Sequence, residues 1–229
     1  MTLSPELAQW RKALRASLIA RRVAASVADH ARWSAAIESL LMSGFPVLKD
    51  LAMGICWPFQ AEFDARPLAV KLLGQGARAA LPVVIAKAQP LVFREWFPDC
   101  PMTQGAYDLP IPDGTPLVRP TALLVPVVGI GKQGDRLGYG GGFFDRTLAA
   151  LQPQPLSIAL AFELSRVETT DPQPHDILMD FVVTECGIQM TVPGGLQMVT
   201  PSECAMYAEA LVVRRQLRAF KDAAPSVPA

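Results

Sequence analysis

Residues 123–151 read LLVPVVGIGKQGDRLGYGGGFFDRTLAAL. Leu123 to Val128 is a short apolar run of strand type, and Phe143 to Leu151 has the spacing of an amphipathic helix. Between them lie Gly129, Gly131, Gly134, Gly138, Gly140, Gly141 and Gly142. Glycine has no Cβ, so a ligand can approach the main chain closely there. The amides that open the following helix are unpaired and carry partial positive charge. With Arg136 inside the loop and Asp145 just past it, the segment predicts a phosphate site. An aspartate in that place can hold the magnesium that accompanies a nucleotide. The stretch therefore implies a strand, a nucleotide loop and a helix in an α/β fold.

Of two better-known phosphate motifs, one is disfavoured by context, leaving a Rossmann oxidoreductase as a third reading, and the other is absent. Gly129, Gly131 and Gly134 spell G-x-G-x-x-G after a strand, but that fingerprint should open a helix at once. Here Asp135-Arg136-Leu137-Gly138-Tyr139-Gly140 follows, which is too glycine-rich for a helix. No G-x-x-x-x-G-K-[ST] occurs, so the loop is not a P-loop. A plain connecting turn is also disfavoured, because each ordered glycine costs about 1 kcal/mol of backbone entropy relative to alanine.

The chain has 229 residues, enough for one large domain with appendages. Half of the residues are apolar, so a sizeable core can form. The 21 basic residues balance 21 acidic ones, which leaves no footprint for nucleic acid or an anionic membrane. Cys56, Cys100, Cys186 and Cys204 lie far apart, without zinc spacing, and read as free thiols. Charges at Glu6, Arg11, Lys12 and Arg15 exclude a signal-peptide core, and no long apolar run suggests a membrane span. The expectation is a cytoplasmic enzyme.

Ser4-Pro5 predicts the start of a first helix running to about Ala25, and Ser26 caps a second one to Leu41. Arg11 and Arg15 are one turn apart and share a face of the first. Strands are expected at 51–57, 79–85, 91–96, 122–128, 156–162 and 181–185, with a helix opened by Arg66-Pro67. The Pro-rich span 98–120 reads as a long surface connection. Thr200-Pro201-Ser202-Glu203 is a capping box for a last helix ending near Phe220. Such alternation implies a mostly parallel sheet with helices on both faces. Residues 1–195 form the expected α/β domain, 196–222 a C-terminal helical extension, and 223–229 a flexible tail.

The run from Gly134 to Arg146 resembles the G-x-R-L-G-[YR]-G-x-G-[YF]-[YF]-D block of the 5-formyltetrahydrofolate cyclo-ligases, also called methenyltetrahydrofolate synthetases. Further landmarks occur in the family's order: Arg11 to Arg15, Pro58-Phe59-Gln60-Ala61-Glu62, Leu81-Pro82, Pro90 to Phe93, and His175-Asp176 followed by Asp180 to Glu185. The resemblance implies a fold like that of the NagB, RpiA and CoA transferase group. It also implies ATP- and Mg2+-dependent conversion of 5-formyltetrahydrofolate into 5,10-methenyltetrahydrofolate.

By the same resemblance, Arg11, Arg15 and the run Arg136, Leu137, Gly138, Tyr139, Gly140, Gly141, Gly142, Phe143 and Phe144 contact ATP. Trp57, Glu62, Tyr139, Gly140, Gly141, Gly142 and Phe143 face the folate. Arg136 and Tyr139 are the implied catalytic residues, and Asp145 and Asp180 the implied metal ligands. Simpler readings stand beside these. The two arginines could line a solvated helix face, Asp145 could complement a helix dipole, and Asp180 could be a turn residue. Glu62 could be a cap, and Trp57 could belong to the core. Arg11 stands where many members have Lys, Gly141 where some have Lys, and Phe143-Phe144 where a Tyr pair is commoner. Those departures keep a non-catalytic folate- or nucleotide-binding relative open as the alternative. The state of assembly, monomer or weak dimer, is not written in the sequence.

Overall fold

A computed structural model describes residues 4–223. The tail expected at 223–229 falls, but for its first residue, outside the described residues. Two helices open the fold, α1 (Pro5–Val23) and α2 (Val27–Gly44). Ser4 Oγ accepts from the Leu7 amide at 3.2 Å and Ser26 Oγ from Asp29 at 3.0 Å, so both predicted caps are made. There follow β1 (Ala52–Gly54), α3 (Arg66–Leu73), β2 (Arg78–Val83), β3 (Val92–Trp96), β4 (Met102–Gln104), β5 (Pro110–Pro112) and β6 (Ala122–Pro126). The glycine segment carries a two-stranded ribbon, β7 (Gly129–Ile130) and β8 (Arg136–Leu137), ahead of α4 (Phe143–Ala150). The chain closes with β9 (Leu156–Leu160), β10 (Phe181–Thr184), β11 (Gly187–Val192), β12 (Gly195–Val199) and α5 (Pro201–Ala223).

The main sheet has the order β12-β11-β10-β9-β6-β1-β2-β3. Its centre, from β10 to β2, is parallel throughout, whereas β3 at one edge and β11 and β12 at the other are antiparallel. A parallel centre must be covered on both faces, and alternate residues of each strand divide between two cores. Ala122, Leu124, Ile158, Leu160 and Val183 pack with Ile37 and Leu41 of α2, Leu68 of α3 and Cys204 of α5. Leu123, Val125, Ala159 and Val182 point the other way, toward Leu148 of α4. A third, small cluster joins Leu18 of α1 to Val128 and Leu137, which seats the glycine ribbon against the first helix.

Two features differ from the sequence reading. The span 98–120 is not a featureless connection, because it folds as the β4–β5 hairpin with Tyr107 at its tip. The proposed boundary at 195/196 cuts into β12, a strand of the main sheet. Cys204, Ala208 and Val212 of α5 belong to the largest core cluster, so this helix is packed as part of the same body.

Candidate active site

Because β1, β2, β6, β9 and β10 run the same way, their carboxyl ends share one edge of the sheet, the usual place for a ligand in such folds. The glycine segment leaves β6 at that edge. A cavity of about 380 Å³ lies there, bounded by α1, the loop after β1, the glycine ribbon, the start of α4 and the Tyr107 hairpin. Of the residues expected at the site, only Asp180 does not line it.

One wall is cationic. Arg15 Nε donates to Gly138 O at 2.9 Å, bracing the loop from α1. Burial, and then the neighbouring Arg11 charge, hold the Arg15 guanidinium below its ordinary pKa. Arg11 is tied down more fully: Nη2 donates to Asp176 Oδ2 at 2.7 Å and Nε to Thr170 O at 3.1 Å. Gly140 has φ +93°, a left-handed conformation that turns the loop tightly beneath Arg15. Leu137 and Phe144 border the cavity, and their side chains also pack in the two smaller apolar clusters.

Arg136 and Asp145 form the floor beside α4. Arg136 Nη2 donates to Asp145 Oδ1 at 2.6 Å, Arg136 Nη1 bonds the Ile177 carbonyl, and the Ile177 amide donates to the same Oδ1 at 3.0 Å. Asp145 is therefore fixed through one oxygen, while Oδ2 accepts no hydrogen bond among the described residues. That free oxygen fits a magnesium ion, which takes one or two carboxylates and completes its shell with water and phosphate. No group of three or more potential ligands exists among the described residues, so a closed metal cage is not part of the site.

Asp180 corrects the sequence reading. It immediately precedes β10, at the amino end of a parallel strand and hence on the opposite edge of the sheet. Both its oxygens are taken: Oδ1 and Oδ2 accept from Arg215 of α5 at 2.8 Å each, and Oδ2 also accepts from the Ser157 amide and hydroxyl. It ties the last helix to the sheet and does not meet Asp145.

The other wall is apolar with one buried acid. Glu62 sits in the loop after β1, where Gln60 and Ala61 take left-handed φ values of 48° and 60° and fold the chain back. Its Oε2 accepts from the Phe59 amide at 3.0 Å and its Oε1 from the Tyr139 hydroxyl at 2.6 Å. Burial pushes the Glu62 carboxyl up in pKa, and burial together with the Glu62 charge raises Tyr139. Trp57 lies at the same wall with the Arg66 guanidinium 3.9 Å over its ring, and it is packed against the main core. Phe59 and Tyr139 stand 5.6 Å apart, and Phe143 meets Tyr107 edge-on at 6.4 Å.

Sequence reasoning passed over Arg22. It is 3% exposed and donates to the Tyr139 hydroxyl at 2.7 Å, to Gln60 O at 2.9 Å and to Val127 O at 3.4 Å. The available signal was its register: Arg22 lies two turns beyond Arg15, on the same side of α1. Asp176, which holds Arg11, was legible only as part of a motif. Burial opposes its charged form, but the Gln173 amide and Arg11 outweigh that and hold its carboxyl below the usual range.

A family profile described as the 5-formyltetrahydrofolate cyclo-ligase family matches residues 7–185. The chain belongs to that family. It is 32% identical over 153 residues to the 5-formyltetrahydrofolate cyclo-ligase of Escherichia coli K12, a match covering 63% of this chain and 83% of the relative. The Haemophilus influenzae protein of the same name is 31% identical over 139 residues, covering 57% and 74%. The solution NMR structure of Aquifex aeolicus 5,10-methenyltetrahydrofolate synthetase superposes with a TM-score of 0.69 at 24% identity, covering 83% of this chain and 96% of its own. A Mycoplasma pneumoniae 5,10-methenyltetrahydrofolate synthetase gives 0.64 at 21% identity, covering 76% and 98%. These two likenesses establish the fold, a cyclo-ligase-type sheet. β11, β12 and α5 lie beyond the residues that the family profile matches.

Proposed function

We propose that this cyclo-ligase family member converts 5-formyltetrahydrofolate to 5,10-methenyltetrahydrofolate at the expense of ATP, releasing ADP and phosphate. The observation that carries the reading is the two-sided cavity. A cationic, glycine-lined wall (Arg15, Arg136 and residues 138–142) faces an aromatic wall with a single buried carboxylate, Glu62, and Asp145 lies in the lining of the same cavity.

The formyl oxygen of the substrate attacks the γ-phosphorus of ATP, and ADP leaves. N10 then closes on the activated formyl carbon, and inorganic phosphate departs, taking the N10 proton. Phosphoryl transfer depends on alignment and charge neutralisation more than on covalent help from the protein. The amides of residues 138–142, with Arg15 behind them, would cradle the phosphates, and Arg136 would offset charge that develops on the transferred group. Asp145 Oδ2 would hold a magnesium ion from the protein side, and that ion would supply charge neutralisation for the phosphate oxygens. Glu62 would accept from the amino groups of the pterin, with Trp57 and Phe143 against its faces, so that buried polar readout selects the ring. Tyr139 bridges the two halves, since its main chain belongs to the phosphate loop and its hydroxyl to Glu62. The four free thiols suit the reducing, cytoplasmic setting we assign to this reaction.

The test is direct. Purified protein, ATP, Mg2+ and 5-formyltetrahydrofolate should develop the near-ultraviolet absorbance of the methenyl product. A folded protein that binds the folate in a calorimeter yet gives no turnover at high enzyme would establish the non-catalytic alternative instead.

A further inference from the structure

The last helix has two apolar faces, and the fold uses only one. Cys204, Ala208 and Val212 are buried against the body, and Arg215 on the same side is bound to Asp180. On the opposite side Met206, Val213, Leu217 and Phe220 are 59%, 47%, 58% and 78% exposed, and Ala210 between them is exposed as well. The spacing 206, 210, 213, 217, 220 alternates four and three residues, the repeat that lets two helices pack knobs into holes. Single exposed apolar residues are ordinary, but a stripe in heptad register along four turns is the pattern of a helix seeking a helix.

We propose that α5 pairs in parallel with α5 of a second copy of this chain. The charges that flank the stripe select both the partner and the direction. With Ala210 and Leu217 as a positions and Met206, Val213 and Phe220 as d positions, Glu209 and Gln216 fall at g, and Arg214 and Lys221 at e. In a parallel pair each g residue meets the e residue five positions on in the partner. Glu209 then faces Arg214 of the second copy, and Gln216 faces Lys221. An antiparallel pair would set Arg214 and Lys221 in the company of their own kind. Neither Glu209 nor Arg214 has an ion-pair partner within the described residues, so both are available. The buried face is diametrically opposite the stripe, so a two-fold axis beside α5 brings the seams together without burying either body. Two heptads make a short seam, and the dimer belongs to the weak, concentration-dependent class.

Sedimentation velocity of the full chain, from low to several hundred micromolar, should show monomer passing to dimer. Leu217→Glu should leave monomer at every concentration. Glu209→Arg and Arg214→Glu should each weaken the dimer by about three- to tenfold, as paired exposed charges do, and the double variant should restore it. Leu217→Cys should cross-link to itself under oxidation, because equal a positions face each other only in the parallel arrangement. A wild-type monomer throughout overturns the proposal. So does a dimer indifferent to Leu217→Glu, or charge swaps that do not compensate. The swaps alter only exposed polar positions, so they decide the matter even if the Leu217 variant folds poorly. None of these readouts depends on turnover.

Discussion

The Tyr139 hydroxyl donates to Glu62 Oε1 at 2.6 Å while accepting from Arg22 Nη2 at 2.7 Å. One short chain of hydrogen bonds thus joins the first helix, Glu62 and the glycine loop. Arg22 Nη2 is also 3.8 Å from Glu62 Oε1, near enough for its charge to favour the ionised acid against burial. Removing Arg22 should therefore act on Glu62 first.

For Glu62 the folded pKa is raised, so the protonated form persists to higher pH than in a free carboxylate. As pH falls through that raised value, an accepting oxygen is lost, and under the proposed function folate recognition should weaken. The pH profile of kcat/KM for the folate should show this acid limb, and Glu62→Gln should abolish it. Arg22→Ala should move the limb to higher pH, and Arg22→Lys should largely restore it. A limb that Arg22→Ala leaves in place would remove Arg22 from this role. Loss of a buried guanidinium that pairs with a buried acid should also cost about 3–5 kcal/mol of stability, measured by urea unfolding.

Asp145→Asn should lower kcat by at least about a hundredfold, the scale for a lost charge-stabilising group at a transferring centre, with little change in folate affinity. The Arg136 and Ile177 contacts run through Oδ1, and an amide oxygen can keep them, so the loss should fall on metal dependence. Kinetics against magnesium concentration, with calorimetry for folate, separates the two effects.

Asp180→Asn should behave in the opposite way. It weakens the clasp on Arg215 and should cost about 1.5–3 kcal/mol of stability, the scale of hydrogen bonds to charged groups. Its magnesium dependence should match wild type. A large shift in that dependence would return Asp180 to the metal site.

Gly140→Ala tests the loop. An alanine there must adopt φ near +93°, and its Cβ would stand 3.2 Å from Arg15 Nη2. The left-handed conformation alone costs roughly 1–2 kcal/mol. The KM for ATP should rise several-fold, while the folate KM changes little.

Asp176 makes stability depend on acid. Its folded pKa is depressed, so the contribution of the Arg11 clasp is complete above the ordinary carboxylate value and fades as pH falls through the folded value. Unfolding free energies between pH 5 and pH 2.5 should fall less steeply in Asp176→Asn than in wild type.

Much of this was legible along the chain because the signals are local. The caps at Ser4 and Ser26, the capping box at Thr200 and Glu203, and the strand–glycine–helix succession at 122–151 all appear where neighbours in sequence require them. Arg22 was hidden because its register with Arg15 marks only a shared helix face, and the partners that give it a role lie at positions 60, 127 and 139. The β4–β5 hairpin was hidden because a Pro-rich composition reads as loop, whereas its pairing is set by residues packed around it.

By itself the sequence determined the glycine segment that can admit phosphates, the acid at its end and the order of strands and helices, since backbone freedom and hydrophobic period are properties of short stretches. Only the tertiary structure decided which charges meet. Strand direction sends Asp145 to the carboxyl edge and Asp180 to the other, and burial turns Arg22 from a helix-surface residue into the keystone between Tyr139 and the loop of Glu62. Coulomb energy and desolvation depend on distance through space, and chain folding sets that distance independently of separation in sequence.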